Sequence, residues 1–228
     1  MPRLYPFAAL AIATLFGSAA LAADARHPTV VELYQSQGCS SCPPAAANVN
    51  ALASRPDILA LSFGVTYWDY LGWKDVYATA QFTARQWDYA RGLKRGNVAT
   101  PQVVINGRSD VVGNDRRTLE AVISRSDRGN SGPELDIVGN KLTINGSGEG
   151  DVWLVRYDPR TLNVPVRRGE NGGRTLPHRN VVKQLVKLGS WTGKPETYVI
   201  PGPTEAGLAT AAFVQTRLGG PIVAAVRG

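Results

Sequence analysis

The sequence predicts an α/β half followed by a smaller all-β half, α+β overall. Three observations carry this. The β-branched run "TVVELYQ" opens a segment in which strand-like and helix-like patterns alternate. The composition breaks at "SDRGNSGPE" (Ser126 to Glu134), a cluster of glycine, serine, asparagine and proline. Beyond it, short alternating runs recur at regular spacing with turn signals between them. The expected organisation is a signal peptide at 1–22, an α/β domain at 23–128 with an aromatic insertion, a linker at 129–133 and a sandwich-like β domain at 134–228.

The elements follow in order. Residues 1–23 carry one early cation, Arg3, then an apolar stretch ending in small residues, with Ala20 and Ala22 forming an A-x-A cleavage site. The stretch falls short of the roughly 20 strongly apolar residues that a spanning helix needs. Cleavage after Ala22 is expected, with export to the periplasm or the medium and no stable membrane span thereafter. Thr29 to Gln35 reads as a buried strand. Ala45, Val49 and Leu52 stand at helical spacing within Ala45 to Arg55. "ILALSFGVTY" (Ile58 to Tyr67) is apolar enough for a central strand covered on both faces. Thr79 to Arg95 has Phe82, Gln86, Tyr89 and Leu93 on one helical face. Pro101 to Gly107 is a strand turning at Asn106-Gly107, with Ser109 to Gly113 returning beside it. Asn114 or Asp115 caps a helix with Leu119, Val122 and Ile123 on one face. In the second half, "LDIVGNKLTI" is a hairpin with its turn at Gly139-Asn140. "DVWLVRYD", "TLNVPVR", "ETYVIPG", "AAFVQTR" and "PIVAAVR" read as strands, and "HRNVVKQLVKLGSW" is placed with them.

The formal charge of +7 is spread over scattered cations with no run of five, and no nucleic-acid-binding motif accompanies them. This reads as a solvated surface, and nucleic acid is not an expected partner.

The chain has two cysteines, Cys39 and Cys42, just after the first strand and just before the first helix. Three readings are open. A structural clip is weak, because so short a ring removes little chain entropy, about 2 kcal/mol. A metal site needs further ligands, and the only histidines are His27 and His178. A Cys39–Cys42–His178 copper or zinc site would require the two halves to meet there, so no metal is expected. A redox couple fits the placement. Unpaired amides at a helix N-terminus favour the thiolate of Cys39, which attacks a disulfide, and Cys42, one turn on, resolves the mixed disulfide. Gly38 leaves room for another chain to approach. The prolines Pro43 and Pro44 leave two helix starts open. If Cys39 is the cap, Pro43 removes an amide from the hydrogen-bond ladder; if the helix begins near Pro43, Cys39 sits on the preceding loop and gains less from it. Far along the chain, Thr100-Pro101 stands at a strand start, compatible with a cis bond that bends the chain toward the cysteines.

This constellation resembles the thioredoxin superfamily over residues 28–125. The resemblance rests on "GCSSCP", on "TPQVVING" (similar to the corresponding stretch of glutaredoxins) and on the element order. It implies a thioredoxin-like domain in which Thr100-Pro101 is the cis-proline loop that pairs with an extended substrate peptide. "ELYQSQGCSSCPPA", "YWDYLGWKD" and "GENGGRTLPHRNVV" together resemble a family of uncharacterised secreted bacterial proteins carried under a domain-of-unknown-function label. The function implied is an exported thiol–disulfide oxidoreductase, with Cys39, Cys42, Thr100 and Pro101 as its catalytic residues. No bound cofactor is called for, because electrons come from a redox partner protein or a thiol substrate. The uncharged spacer Ser40-Ser41 matches neither the oxidants nor the reductants of the superfamily, so the direction of transfer is not legible. The alternatives are an envelope binding or scaffold protein with an inert disulfide and, behind it, a copper chaperone.

The aromatic stretch Thr66 to Tyr77 follows a central strand at the end where such sites lie. Most of its rings are expected to pack on the protein itself, with one or two facing the cysteines. Trp68, Tyr70 and Trp73 are the candidates for a peptide groove, joined by Gly38, Ser40 and Ser41 beside the thiols. "RRGENGGRT" (Arg167 to Thr175) lacks the strand–loop–helix context and the lysine of a phosphate loop and reads as a long hairpin loop.

Overall fold

The computed structural model describes residues 22–217 and 219–228. The expected signal peptide falls almost wholly on residues 1–21, outside the described residues.

Strand β1 (Thr29–Gln35), helix α1 (Cys42–Leu52) and strand β2 (Ile58–Gly64) form a βαβ unit. The two strands pair in parallel from Thr29↔Ile58 to Gln35↔Gly64. Every residue of both strands is buried, as a parallel pair covered on both faces requires. β2 stops three residues short of the sequence expectation because β1 ends there; the chain turns, and Val65 N donates to Gln35 O at 2.9 Å. Helix α2 (Ala80–Gly92) follows, then the antiparallel strands β3 (Gln102–Ile105) and β4 (Ser109–Val111), with β3 on the far side of β1. Helix α3 (Arg116–Arg125) starts at Asp115, whose carboxylate accepts from Thr118 N at 2.7 Å.

The alternation along β1 separates two cores. Val31 and Leu33 face Ala45, Val49 and Leu52 of α1 and Leu119, Val122 and Ile123 of α3. Val30 and Tyr34 face the opposite layer with Phe82 and Tyr89 of α2. α1 and α3 therefore cover one face of the sheet and α2 the other.

The second half departs from the expected separate β domain. Strands β7 (Gly150–Asp158), β10 (Val181–Trp191), β12 (Ala209–Gln215) and β13 (Ile222–Arg227) extend the first sheet, giving eight strands in the order β13-β12-β7-β10-β2-β1-β3-β4. The join is short: Val181 pairs in parallel with Ser62, and Ser62 N donates to Asn180 O at 3.0 Å. β10 covers the edge of β2 at this pair, and Ala78 forms an isolated bridge with Gly64 beside it. Strand periodicity shows which residues face inward but not which edge meets which, and the strands on the two sides of residues 129–133 share one sheet.

A sandwich-like element does exist. The three-stranded sheet β11-β6-β5 (Glu196–Val199, Lys141–Asn145, Glu134–Val138) packs Leu135, Leu142 and Ile144 against Val152, Leu154, Trp191 and Val214 of the large sheet. The strands β8 (Leu162–Pro165) and β9 (Thr175–His178) form a separate hairpin.

A buried ion pair of the first half also reaches the second through one hydrogen bond. Arg85 of α2 reaches Glu32 of β1 at 2.7 and 3.1 Å and Gln215 of β12 at 3.1 Å. Its guanidinium carbon lies 5.0 Å from the ring centres of both Tyr89 and Phe213. Both charges are almost fully buried, and their remaining valences are met by the Tyr34 and Tyr89 hydroxyls.

Candidate functional site

Cys39 and Cys42 are joined in a disulfide. Helix α1 begins at Cys42, with Ser41 as its cap and Pro43 and Pro44 in its first turn. Of the two helix starts the sequence left open, the later one is therefore found, and Cys39 lies on the loop before the helix. Prolines fit a first turn because the amides they lack have no partner inside the helix.

The remaining sequence candidates gather around this loop. The Thr100-Pro101 bond is cis, Pro101 is buried, and Ser41 Oγ lies 3.5 Å from Thr100 O. Trp68 Nε1 donates to Thr100 Oγ1 at 2.7 Å, so the aromatic segment is fastened to the proline loop. A Cβ on Gly38 would stand 3.3 Å from Trp68 Cβ, a tight fit that suits glycine. Trp73 Nε1 donates to Gln37 Oε1 at 2.9 Å. Tyr70 is 79% exposed and points to solvent. Ser40 and Ser41 are exposed, whereas Cys39 has no exposed surface.

The cover over Cys39 comes from the loop between β8 and β9, residues 166–174. Gly169, at φ +76°, brings the loop close enough that a Cβ there would lie 3.7 Å from Gly38 Cα. Glu170 accepts from Ser40 N at 2.9 Å and from Ser40 Oγ at 2.7 Å. These donors hold its carboxyl below the ordinary range. Asn171 is fully buried; its Nδ2 donates to Gln37 O at 3.0 Å and to Cys39 O at 2.8 Å, and its Oδ1 accepts from Arg174 at 2.7 Å. The sequence predicts a hairpin loop here and gives no sign of its contact with the cysteines, beyond the presence of "GENGGRTLPHRNVV" beside the cysteine motif in the same family resemblance.

Behind the motif lies a second group that the sequence did not bring together. Asp75 is buried and accepts from Gln37 N at 2.7 Å and Tyr77 N at 2.8 Å. Burial outweighs these donors and pushes its carboxyl up to about 6. His178 of β9 is 3% exposed, with Nδ1 3.2 Å from Gln35 Nε2, and burial pulls its imidazole down to about 4. His178 and Cys42 line one small cavity of about 40 Å³, so the two halves do meet at the cysteines. The sulfurs, however, are bonded to each other. Among the described residues no group of three or more histidine, cysteine or acidic side chains is placed to hold a metal ion.

A CxxC disulfide at the start of a helix, within a βαβ unit, is consistent with a thioredoxin-like motif. The chain is similar to a crystal structure of an Agrobacterium tumefaciens protein from the Northeast Structural Genomics Consortium, with 32% identity and a TM-score of 0.72, covering 90% of this chain and 94% of that one. It is also similar to HBP35 of Porphyromonas gingivalis at 11% identity and a TM-score of 0.59, covering 89% of this chain and 75% of that one, a likeness of fold alone. No curated protein matches it. The model of a family described as a protein of unknown function, DUF1223, matches residues 30–215, and this chain belongs to that family.

Proposed function

We infer that the chain is an exported thiol–disulfide oxidoreductase built on a thioredoxin-like unit, with Cys39 and Cys42 as its redox couple. One observation carries the reading: the disulfide sits at the start of α1 with Ser41 against the cis Thr100-Pro101 loop. In the dithiol form the Cys39 thiolate attacks a substrate disulfide R–S–S–R′, releasing R′S⁻ and forming a Cys39–S–S–R mixed disulfide. The Cys42 thiolate then attacks Cys39 Sγ and RS⁻ leaves, so two electrons pass to the substrate and the intramolecular disulfide forms. The Thr100-Pro101 loop would hold the extended peptide, with Trp68 and Trp73 as its walls. The partner is a protein or small-molecule thiol or disulfide.

The full burial of Cys39 favours a second reading, in which the disulfide is inert and the protein is a binding or scaffold component of the cell envelope. Turnover separates the two. The wild type should accelerate reduction of a disulfide-linked reporter peptide by dithiothreitol, and Cys39→Ser should return the rate to that of dithiothreitol alone. A wild-type rate no greater than the uncatalysed rate would leave the scaffold reading.

A further inference from the structure

Of the backbone amides from Gln37 to Cys42, all but that of Ser41 are already taken. Gln37 N donates to the Asp75 carboxylate at 2.7 Å, and Ser40 N donates to the Glu170 carboxylate at 2.9 Å. Gly38 N is bonded to Ser36 Oγ, Cys39 N to Ser36 O and Cys42 N to Cys39 O. Pro43 and Pro44 have no amide hydrogen to offer from the first turn of α1. Along this stretch Ser41 remains as the donor, through its amide and through its Oγ, which lies 3.3 Å from Cys39 Sγ. The charges around the loop come from each packed element. Arg167, Arg168, Glu170 and Arg174 belong to the β8–β9 loop, and Asp69, Lys74 and Asp75 belong to the aromatic segment. Helix α1 carries no acidic residue in its first turn and no basic residue in its last. Arg174 is bonded to Asn171 Oδ1 and not to the cysteine loop itself. Two carboxylates thus hold the amides of Gln37 and Ser40 around Cys39.

We propose that Glu170, acting through the Ser40 amide, and the Pro43-Pro44 pair set the couple to be reducing: they disfavour the Cys39 thiolate, so the disulfide is the preferred state and the dithiol gives up its electrons to substrate disulfides. A couple whose reduced form is stabilised becomes an oxidant, and a couple deprived of that stabilisation becomes a reductant. The balanced step is the transfer of two electrons and two protons from the Cys39/Cys42 dithiol to a protein disulfide. A dithiol donor of still lower potential regenerates the protein. This rests on the oxidoreductase reading and adds its direction. Glu170 is a positioning residue, since it touches Ser40 and not the reacting sulfur.

The test equilibrates the protein with a series of reduced and oxidised dithiothreitol mixtures and reads the thiols by alkylation and mass. A second arm titrates the rate of Cys39 alkylation against pH in the reduced protein. Glu170→Gln keeps an acceptor at Ser40 and removes the charge. It should shift the equilibrium about two- to fivefold toward the dithiol, the size expected of one exposed charge at a helix start, and lower the pH midpoint of Cys39 alkylation. Pro43→Ala and Pro44→Ala restore amides and should shift both quantities the same way. Unchanged equilibrium and midpoint in all three variants would overturn the proposal. Both readings are made without a substrate, so this failure is distinct from failure of the oxidoreductase reading, which is absence of reporter turnover.

Discussion

Asn171 holds the backbone carbonyl of Cys39 at 2.8 Å across 132 residues of chain. The same amide holds Gln37 O, so one buried side chain from the second half fixes both ends of the Gln37-Gly38-Cys39 turn. The β8–β9 loop is thereby fastened to the turn that carries Cys39, a residue with no exposed surface.

Asn171→Ala should therefore loosen the cover. Two hydrogen bonds to buried carbonyls are lost, at a cost of about 1–3 kcal/mol in stability. Reduction of the disulfide by a small dithiol should accelerate about 5- to 30-fold, as the cost of opening falls by one or two kcal/mol. Alkylation trapping at timed intervals measures this. A rate equal to wild type in a destabilised variant would show that the loop does not guard Cys39.

Asp75 and His178 make opposing contributions to stability in acid. The carboxyl of Asp75 titrates near 6 when folded and near 3.9 when unfolded. Between those values the folded chain holds the extra proton, so acidification from pH 6 to 4 stabilises it by about 3 kcal/mol. His178 titrates near 4 when folded and near 6.5 when unfolded. There the unfolded chain holds the extra proton, and acidification through the same window destabilises by about 3 kcal/mol. The two should nearly cancel. Relative to wild type, His178→Asn should gain stability on going from pH 7 to 4.5, and Asp75→Asn should lose it. Urea midpoints at the two pH values decide the matter; parallel shifts in all three proteins would contradict the assignment.

Arg85→Met should leave Glu32 buried with the Tyr34 hydroxyl alone as a polar partner. Removing one member of such a pair costs about 3–5 kcal/mol. Since Tyr34, Phe63 and Phe82 still share one apolar core with Val155, Phe213 and Ile222, the two halves should still unfold in one transition at a lower urea midpoint. A loss below 1 kcal/mol, or two separate transitions, would count against the shared core described above.

Much of the first half was legible because its signals are local. The run Thr29 to Gln35 became β1 without change, and the Asp115 cap was found where the pattern put it. The cysteine loop, Trp68 and Thr100-Pro101 were expected near one another and are joined by the Trp68–Thr100 and Ser41–Thr100 contacts. The second half was read correctly as strands, including Val181 to Trp191, whose period fits a helix equally well. Their destination was not legible, since alternation specifies a buried face and says nothing of a shared edge such as Val181↔Ser62. Glu170 and Asn171 were missed for a related reason. Their roles depend on where a hairpin tip lands, more than 100 residues from the loop it covers.

The most direct test of the redox reading is trapping. Cys42→Ser keeps Cys39 and removes the thiol that would resolve a mixed disulfide. Incubated with a disulfide-linked peptide, this variant should accumulate one peptide per chain, bonded at Cys39 by mass mapping, while the wild type releases the reduced peptide and closes its own disulfide. Cys39→Ser should trap nothing, because it lacks the thiol assigned to the attack. Failure of Cys42→Ser to form the adduct, or an adduct found at Cys42 in Cys39→Ser instead, would contradict the assignment of Cys39 as the attacking sulfur.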